Sequence, residues 1–319
     1  MIIFFYGEDV YRLREKLKAL KDKFISASLG DTNLAILEGK TVEYNEISRQ
    51  VLAIPFLSKT RLVIIENLLK EGKKDVQEKV GELLKKLPDS TVLVFAEVNN
   101  PDKRTSLYKK LVKEKMAQEF APLESIQVKR WIRKEAENRD VDIENDAINT
   151  LSDYFGGDLY RQKNELEKLA ASIQHRRDKT ITSIDVKKLV RPEVESNIFA
   201  LSDYIGQKNF QAATKELDRL EKNGENEIYI FTMVVRQFRN LLILKDTINR
   251  KGNINSYQMA KEVGMNPYVA QKTMPAARNF EWHKLRQIYK TLLNFDLAIK
   301  TGKMEGKVAL NLFLAKFCN

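Results

Sequence analysis

The chain opens with a strand, a glycine and a helix, and that order restricts its first domain more than any other feature. Residues 2–6, Ile-Ile-Phe-Phe-Tyr, are a continuous run of β-branched and aromatic residues, the pattern of a buried strand. Gly7 breaks the run, and Val10, Leu13, Leu17 and Leu20 then recur at helical spacing. Strand, glycine turn and helix together form the framework that cradles phosphate at a helix N-terminus. Such a loop needs G-x-x-x-x-G-K-[ST], with glycines to bare the backbone N–H groups and a lysine for the phosphates. Here the turn reads Gly7-Glu8-Asp9-Val10-Tyr11-Arg12. It lacks the second glycine and the Lys-Thr pair, and two carboxylates stand where phosphate requires positive charge. Gly7, Glu8 and Asp9 are therefore expected to form a degenerate nucleotide loop, with no cofactor.

The alternation continues to about residue 120. Strands are expected at 33–37, 62–65, 92–96 and 116–120, with helices at 10–24, 43–52, 76–87 and 106–113. Strands alternating with helices predict βαβ units and a mainly parallel sheet, and the unbroken apolar runs predict a sheet covered on both faces. Pro122 ends the pattern, and no strand is expected from Ser125 onward. Val128, Trp131, Ile132 and Ala136 share one helix face; Ile143, Ala147, Ile148, Leu151 and Tyr154 share a second, stopped by Gly156-Gly157. Asp158 can cap a third helix carrying Leu159, Leu166, Leu169 and Ala170. Residues 182–190 make a fourth, closed by Pro192. Further helices begin near Phe199 and cover 210–220, 228–248, 282–299 and 308–317. The expected class is α/β plus all-α, in three domains: 1–123, 124–192 and 193–319.

With 43% hydrophobic and 31% charged residues, the chain reads as a soluble, helix-rich protein. No apolar run approaches the roughly eighteen residues of a membrane span. A single cysteine, Cys318, leaves neither a disulfide framework nor a cysteine-based zinc site, and the cytoplasm is the expected compartment. The net charge of +11 points to an acidic partner such as nucleic acid. It is concentrated at Lys103, Arg104, Lys109, Lys110, Lys113 and Lys115, then at Lys129, Arg130, Arg133 and Lys134. One such run alone reads as a solvated helix face. Two in succession make Lys103, Arg104, Lys109, Lys110, Lys113, Arg130 and Arg133 the candidates for touching DNA.

Other motifs yield to simpler readings. Gly39-Lys40-Thr41 resembles the end of a phosphate loop, but the leading position is Leu34, so a turn with Thr41 capping the next helix is expected. The strand ending in Glu66-Asn67 lacks the acidic pair that would hold magnesium. His175 and His283 are far apart in sequence, and Trp131 and Trp282 lie on apolar helical stripes that predict core positions. The connector Leu52-Ala53-Ile54-Pro55-Phe56-Leu57-Ser58-Lys59 is less easily dismissed. Pro55 must end the preceding helix, and a buried strand follows at Leu62. Loops usually place polar residues there, yet this one carries Ile54, Phe56 and Leu57. Either Phe56 folds back onto its own sheet, or the connector is an apolar tip that plugs a pocket on a partner.

Taken in order, several segments resemble the delta subunits of the bacterial DNA polymerase III clamp loader, and the resemblance spans essentially the whole chain. It is carried by Phe5-Tyr6-Gly7-Glu8-Asp9, by the stretch from Pro55-Phe56-Leu57-Ser58-Lys59 to Glu66-Asn67, and by Asp102-Lys103-Arg104. It continues through Gly157-Asp158-Leu159, Asn164-Glu165-Leu166-Glu167-Lys168-Leu169, Asn197-Ile198-Phe199, Arg236-Gln237-Phe238-Arg239 and Asp296-Leu297-Ala298-Ile299-Lys300-Thr301-Gly302. The resemblance implies a degenerate AAA+-like domain at 1–123, a helical lid at 124–192 and a collar domain at 193–319. The collar would join the motor and delta-prime subunits. The family does not hydrolyse ATP at this position. Tyr160 stands where the motor subunits carry a sensor arginine, with Arg161 beside it, and the Ser-Arg-Cys triplet and clustered zinc cysteines of the relatives are absent. By resemblance, Phe56 and Leu57, flanked by Ile54 and Pro55, enter the pocket of the sliding clamp, which is opened for loading onto primed DNA. The chain would not be catalytic alone but would serve the DNA-directed DNA polymerase, a nucleotidyltransferase holoenzyme. Two rivals differ in class. One is an active P-loop ATPase, marked by ATP hydrolysis; the other is a stand-alone DNA-binding protein, suggested by charge.

Overall fold

In the computed structural model, which describes residues 1–27, 30–191, 194–252 and 254–318, the early apolar runs become five strands. They are β1 (Ile2–Gly7), β2 (Leu34–Glu38), β3 (Arg61–Glu66), β4 (Thr91–Val98) and β5 (Ala117–Glu119). The sheet order is β2-β3-β4-β1-β5, and every neighbouring pair is parallel. Between the strands run α1 (Val10–Ala27), α2 (Tyr44–Leu52), α3 (Leu68–Glu71), α4 (Lys74–Leu83) and α5 (Ser106–Leu111). No periodicity announces α3, which is barely one turn long.

Burial on both faces explains the unbroken runs. Phe4 and Tyr6 pack with Val63, Ile65, Leu93 and Phe95, and with Ile47, Val80 and Leu111 from α2, α4 and α5. Ile3 and Phe5 point to the opposite face, where they meet Leu62, Ile64 and Val94, Leu13 and Leu17 of α1, and Phe120. Each fully buried side chain of this size contributes roughly 1.5–3 kcal/mol. The sheet is therefore a stiff platform for the loops at its two edges.

This compact unit is Met1–Leu123, and a second spans Glu124–Asn319. The second is built from α6 (Ser125–Glu137), α7 (Asn145–Phe155), α8 (Leu159–Ser172), α9 (Ser183–Leu189), α10 (Val194–Gly206) and α11 (Phe210–Lys222). It continues with α12 (Glu227–Lys251), α13 (Ser256–Val263), α14 (Pro267–Asn279), α15 (Trp282–Lys300) and α16 (Gly306–Phe317). The expectation of no strand beyond Ser125 is corrected: β6 (Asp142–Ile143) and β7 (Thr180–Ile181) form a small parallel pair, too short to leave a pattern. Asp158 does cap α8, accepting the Arg161 N–H at 3.1 Å. In α7, Phe155 rather than Tyr154 completes the buried face. Trp282, expected in the core, is 38% exposed because it is the first residue of α15, at the end of the packed stripe. Pro192 lies outside the described residues. Helix α14 has an internal Pro275, which hides it from sequence reasoning. Gly156 ends α7 with φ 50°, and a Cβ there would lie 2.6 Å from the Tyr268 ring. The Tyr268 hydroxyl donates to the Asp153 carbonyl at 3.1 Å, joining α14 to the end of α7.

Candidate functional site

Parallel strands give the sheet two unlike edges. At the C-terminal edge, β1 runs into the glycine turn. Gly7 has φ 138°, and a Cβ there would collide with the Phe120 carbonyl, so only glycine fits. The Asp9 N–H donates to that same carbonyl at 2.9 Å. The Asp9 carboxylate, 6% exposed, then caps α1: the Arg12 N–H donates to Oδ1 at 2.9 Å and Arg12 Nε to Oδ2 at 2.6 Å. Unpaired N–H groups and the positive end of the helix dipole favour an anion here, whether phosphate or carboxylate. This chain supplies its own. Glu8 meanwhile accepts from the Asn100 side-chain amide.

The neighbouring strand ends are occupied in the same way. Asn67 adopts φ 58° after β3, and its side-chain oxygen accepts the Val98 N–H at 3.1 Å. Glu66 lies 3.8 Å from Arg14. Glu97, fully buried in β4, accepts the Leu69 N–H at 2.7 Å and the Lys70 N–H at 3.2 Å. Burial pushes its carboxyl up to about 7, against the opposing pull of those backbone bonds. Among the described residues, no group of three or more His, Cys, Asp and Glu could hold a metal ion. Gly39-Lys40-Thr41 forms a turn after β2, but Thr41 does not cap α2. The N-cap position belongs to Glu43, and the Thr41 N–H instead closes the turn onto the Glu38 carbonyl at 3.1 Å.

The N-terminal edge differs. Helix α2 ends at Ala53, which turns extended with φ −65° and ψ 139° ahead of Pro55. In the connector that follows, Ile54 is 89% exposed, Phe56 63% and Leu57 73%, while Pro55 is half-buried. Phe56 does not fold back onto the sheet. Leu57 has φ 47°, a left-handed conformation that costs a non-glycine residue roughly 1–2 kcal/mol. The flanks are tied down. Arg61 Nε donates to the Gln50 carbonyl at 3.0 Å, and the buried Thr91 hydroxyl donates to the Val51 carbonyl at 2.9 Å. In the middle, Asn33 grips Phe56: its Nδ2 donates to the Phe56 carbonyl and its Oδ1 accepts the Phe56 N–H, both at 2.7 Å. Sequence reasoning passed over Asn33, Arg61, Thr91 and Glu97. The only signal was a polar residue at the margin of an apolar strand run.

The basic candidates lie in different units and differ in their partners. Arg104 chelates Asp102, Lys103 lies 3.4 Å from Glu119, and Lys110 reaches Glu82 at 3.1 Å. Among the described residues, Lys109, Lys113 and Arg130 form no ion pair. Arg130 and Arg133 line a cleft of about 460 Å³ along α6 and α7, with Ile126, Lys129 and Lys134. Arg133 there donates to the Asn145 side chain.

A five-stranded parallel sheet whose first turn is capped by its own Asp9, followed by a helical unit, defines an AAA+-like α/β plus all-α fold. Residues 4–120 match the family described as DNA polymerase III, delta subunit, and residues 195–317 match the DNA polymerase III delta subunit, C-terminal domain. The chain belongs to the DNA polymerase III delta subunit family, a clamp-loader family of DNA replication. It is 27% identical over 317 residues to DNA polymerase III subunit delta of Bacillus subtilis, covering 97% of this chain and 90% of that protein. It is 25% identical over 274 residues to the probable delta subunit of Aquifex aeolicus, covering 78% and 72%. The solved structure of the Bacillus subtilis DNA clamp loader delta protein matches with a TM-score of 0.77 at 25% identity, over 99% of this chain and 95% of that one. No helix among the described residues is long and apolar enough to cross a membrane.

Proposed function

We propose that this chain binds the ring-shaped sliding clamp through Phe56 and Leu57, with Ile54 and Pro55 flanking, and holds one clamp interface open for loading onto primed DNA. The observation that carries the reading is the exposure of three large apolar side chains on a connector whose flanks are fixed to the sheet. Burial of a Phe or Leu in a partner's pocket contributes roughly 1.5–3 kcal/mol each. The Phe56→Ala, Leu57→Ala double variant should therefore bind the clamp about a hundredfold or more weakly with its thermal unfolding unchanged. Wild-type affinity in the folded variant would reject the reading.

The remaining roles follow from the same placement. The chain itself hydrolyses no ATP, because the Asp9 carboxylate takes up the Arg12 amide and guanidinium at the helix N-terminus where a phosphate would sit. ATP bound by neighbouring motor subunits governs when the tip is reachable, as a shift between populations. Residues 124–192 serve as a lid and 193–319 as a collar. Leu293 and Leu297 on α15, and Val308 and Leu312 on α16, form exposed i, i+4 pairs suited to contacts with the motor and delta-prime subunits. Lys109, Lys113 and Arg130, together with Arg133, whose partner Asn145 is neutral, have charge to offer DNA inside the assembled loader. Charge reversal there should flatten the salt dependence of DNA binding by the complex. The cytoplasm is the compartment in which this work would occur.

A further inference from the structure

We propose that Asn33 is a positioning residue for the clamp-binding tip, holding the Phe56 backbone in its binding geometry before the clamp arrives. The inference rests on the reading of Phe56 and Leu57 as the tip. Asn33 is 1% exposed, and a buried amide is unfavourable unless both of its ends are hydrogen-bonded. Both ends are bonded here, and to one residue: the Phe56 carbonyl and the Phe56 N–H, each at 2.7 Å. The side-chain amide thereby substitutes for a neighbouring strand, which would also offer one donor and one acceptor. Asn33 is in turn fastened to the sheet, since its carbonyl accepts the Leu62 N–H at the start of β3 at 2.9 Å.

A residue kept only for packing at this site would be apolar. This one has its polar atoms committed to the backbone of a loop whose side chains face solvent. Among the described residues, Leu57 and Lys59 donate no backbone hydrogen bond, so Phe56 is the fixed point of the tip. Fixing its peptide also fixes the entry to Leu57 at φ 47°. Ordering one residue's backbone in advance corresponds to roughly five- to thirtyfold in affinity for whatever the tip binds.

Residue-resolved hydrogen exchange on the full chain tests the grip without any substitution. The Phe56 amide should exchange at least about tenfold more slowly than those of Leu57 and Lys59. Equal rates would overturn the proposal. Asn33→Ala should then weaken clamp binding about tenfold, and Asn33→Asp at least as much, because a buried carboxylate accepts the Phe56 N–H but sets its other oxygen against the Phe56 carbonyl with nothing to donate. In a Phe56→Ala, Leu57→Ala background, Asn33→Ala should cost under about threefold more, because Asn33 acts through the two side chains of the tip. The same loss in both backgrounds, or a lower urea midpoint with unchanged clamp affinity, would reduce Asn33 to a structural residue and sink the proposal. If Phe56→Ala alone leaves clamp binding intact, the tip reading fails instead.

Discussion

At the C-terminal edge of the sheet, Asp9 fills the N-terminus of α1 and Glu97 fills that of α3, while Asn67 ties two strand ends together. At the N-terminal edge, Ile54, Phe56 and Leu57 stand in solvent on a connector fastened at Gln50, Val51 and Phe56. The two edges belong to the same strands and lie a strand length apart, about 20 Å for six residues. At the first edge Asp9, Asn67 and Glu97 have their polar atoms bonded within the chain. The apolar groups of the second are unsatisfied, and its backbone is held so that they stay that way. The first edge is thus closed by the chain's own side chains, whereas the second holds apolar side chains out in solvent.

The largest expected effect tests how rigid the silent edge is. Gly7→Ala would force a methyl group against the Phe120 carbonyl at an unfavourable φ, and should lower unfolding free energy by about 4 kcal/mol in urea titrations. A loss below about 1 kcal/mol would show that the turn can relax, and that its glycine is no longer demanded by structure.

Glu97 gives the next largest effect, and one with a sign. Its carboxyl is raised from 4.5 to about 7 in the folded protein, so the native state binds the proton more tightly than the unfolded chain does. The stability linked to that proton is fully present below about pH 4.5 and is lost as pH rises through about 7. Glu97→Gln removes the titration. Between those limits, the stability difference between wild type and variant should change by roughly 2–3 kcal/mol, with the wild type declining relative to Glu97→Gln as pH rises. Parallel profiles would mean that Glu97 titrates in the folded protein as it does in the unfolded chain.

Removing the carboxylate from the loop probes the same edge more gently. Asp9→Ala should cost about 1–2 kcal/mol, the usual loss for an N-cap. Neither ATP nor inorganic phosphate should restore the melting temperature. If either did, the loop would still bind anions and the contrast between the edges would weaken.

The unequal legibility of the two edges has a physical origin. The turn at Gly7 was legible as a break between strand and helix, and the lack of a phosphate-loop signature there was visible because such a signature depends on residue types at fixed spacing. The strands could be read because burial on both faces leaves unbroken apolar runs such as Leu62-Val63-Ile64-Ile65. At the other edge, the composition of Ile54, Pro55, Phe56 and Leu57 was legible but their exposure was not, since either burial or solvent fits the same letters. Asn33 was invisible because its partner is 23 residues away and is a peptide group, which every residue possesses. Glu97 was hidden within an apolar run for the same reason, its acceptors being matched to the amides of Leu69 and Lys70.

The smallest expected effect separates the edges most cleanly, because stability and binding should move in opposite directions. Leu57 combines a left-handed backbone with a side chain 73% exposed, so it incurs conformational cost with little burial in return. Leu57→Gly removes the steric penalty of that conformation but adds freedom to the unfolded chain, and the balance should be a gain of about 0.5 kcal/mol in unfolding free energy. The same variant should bind the clamp about tenfold or more weakly, having lost an anchor worth roughly 1.5–3 kcal/mol when buried. At Gly7 the native residue is the one the fold requires, whereas at Leu57 the fold would do better with another. If Leu57→Gly destabilises the chain while clamp binding is unchanged, the connector is a structural loop and the contact surface must be sought elsewhere.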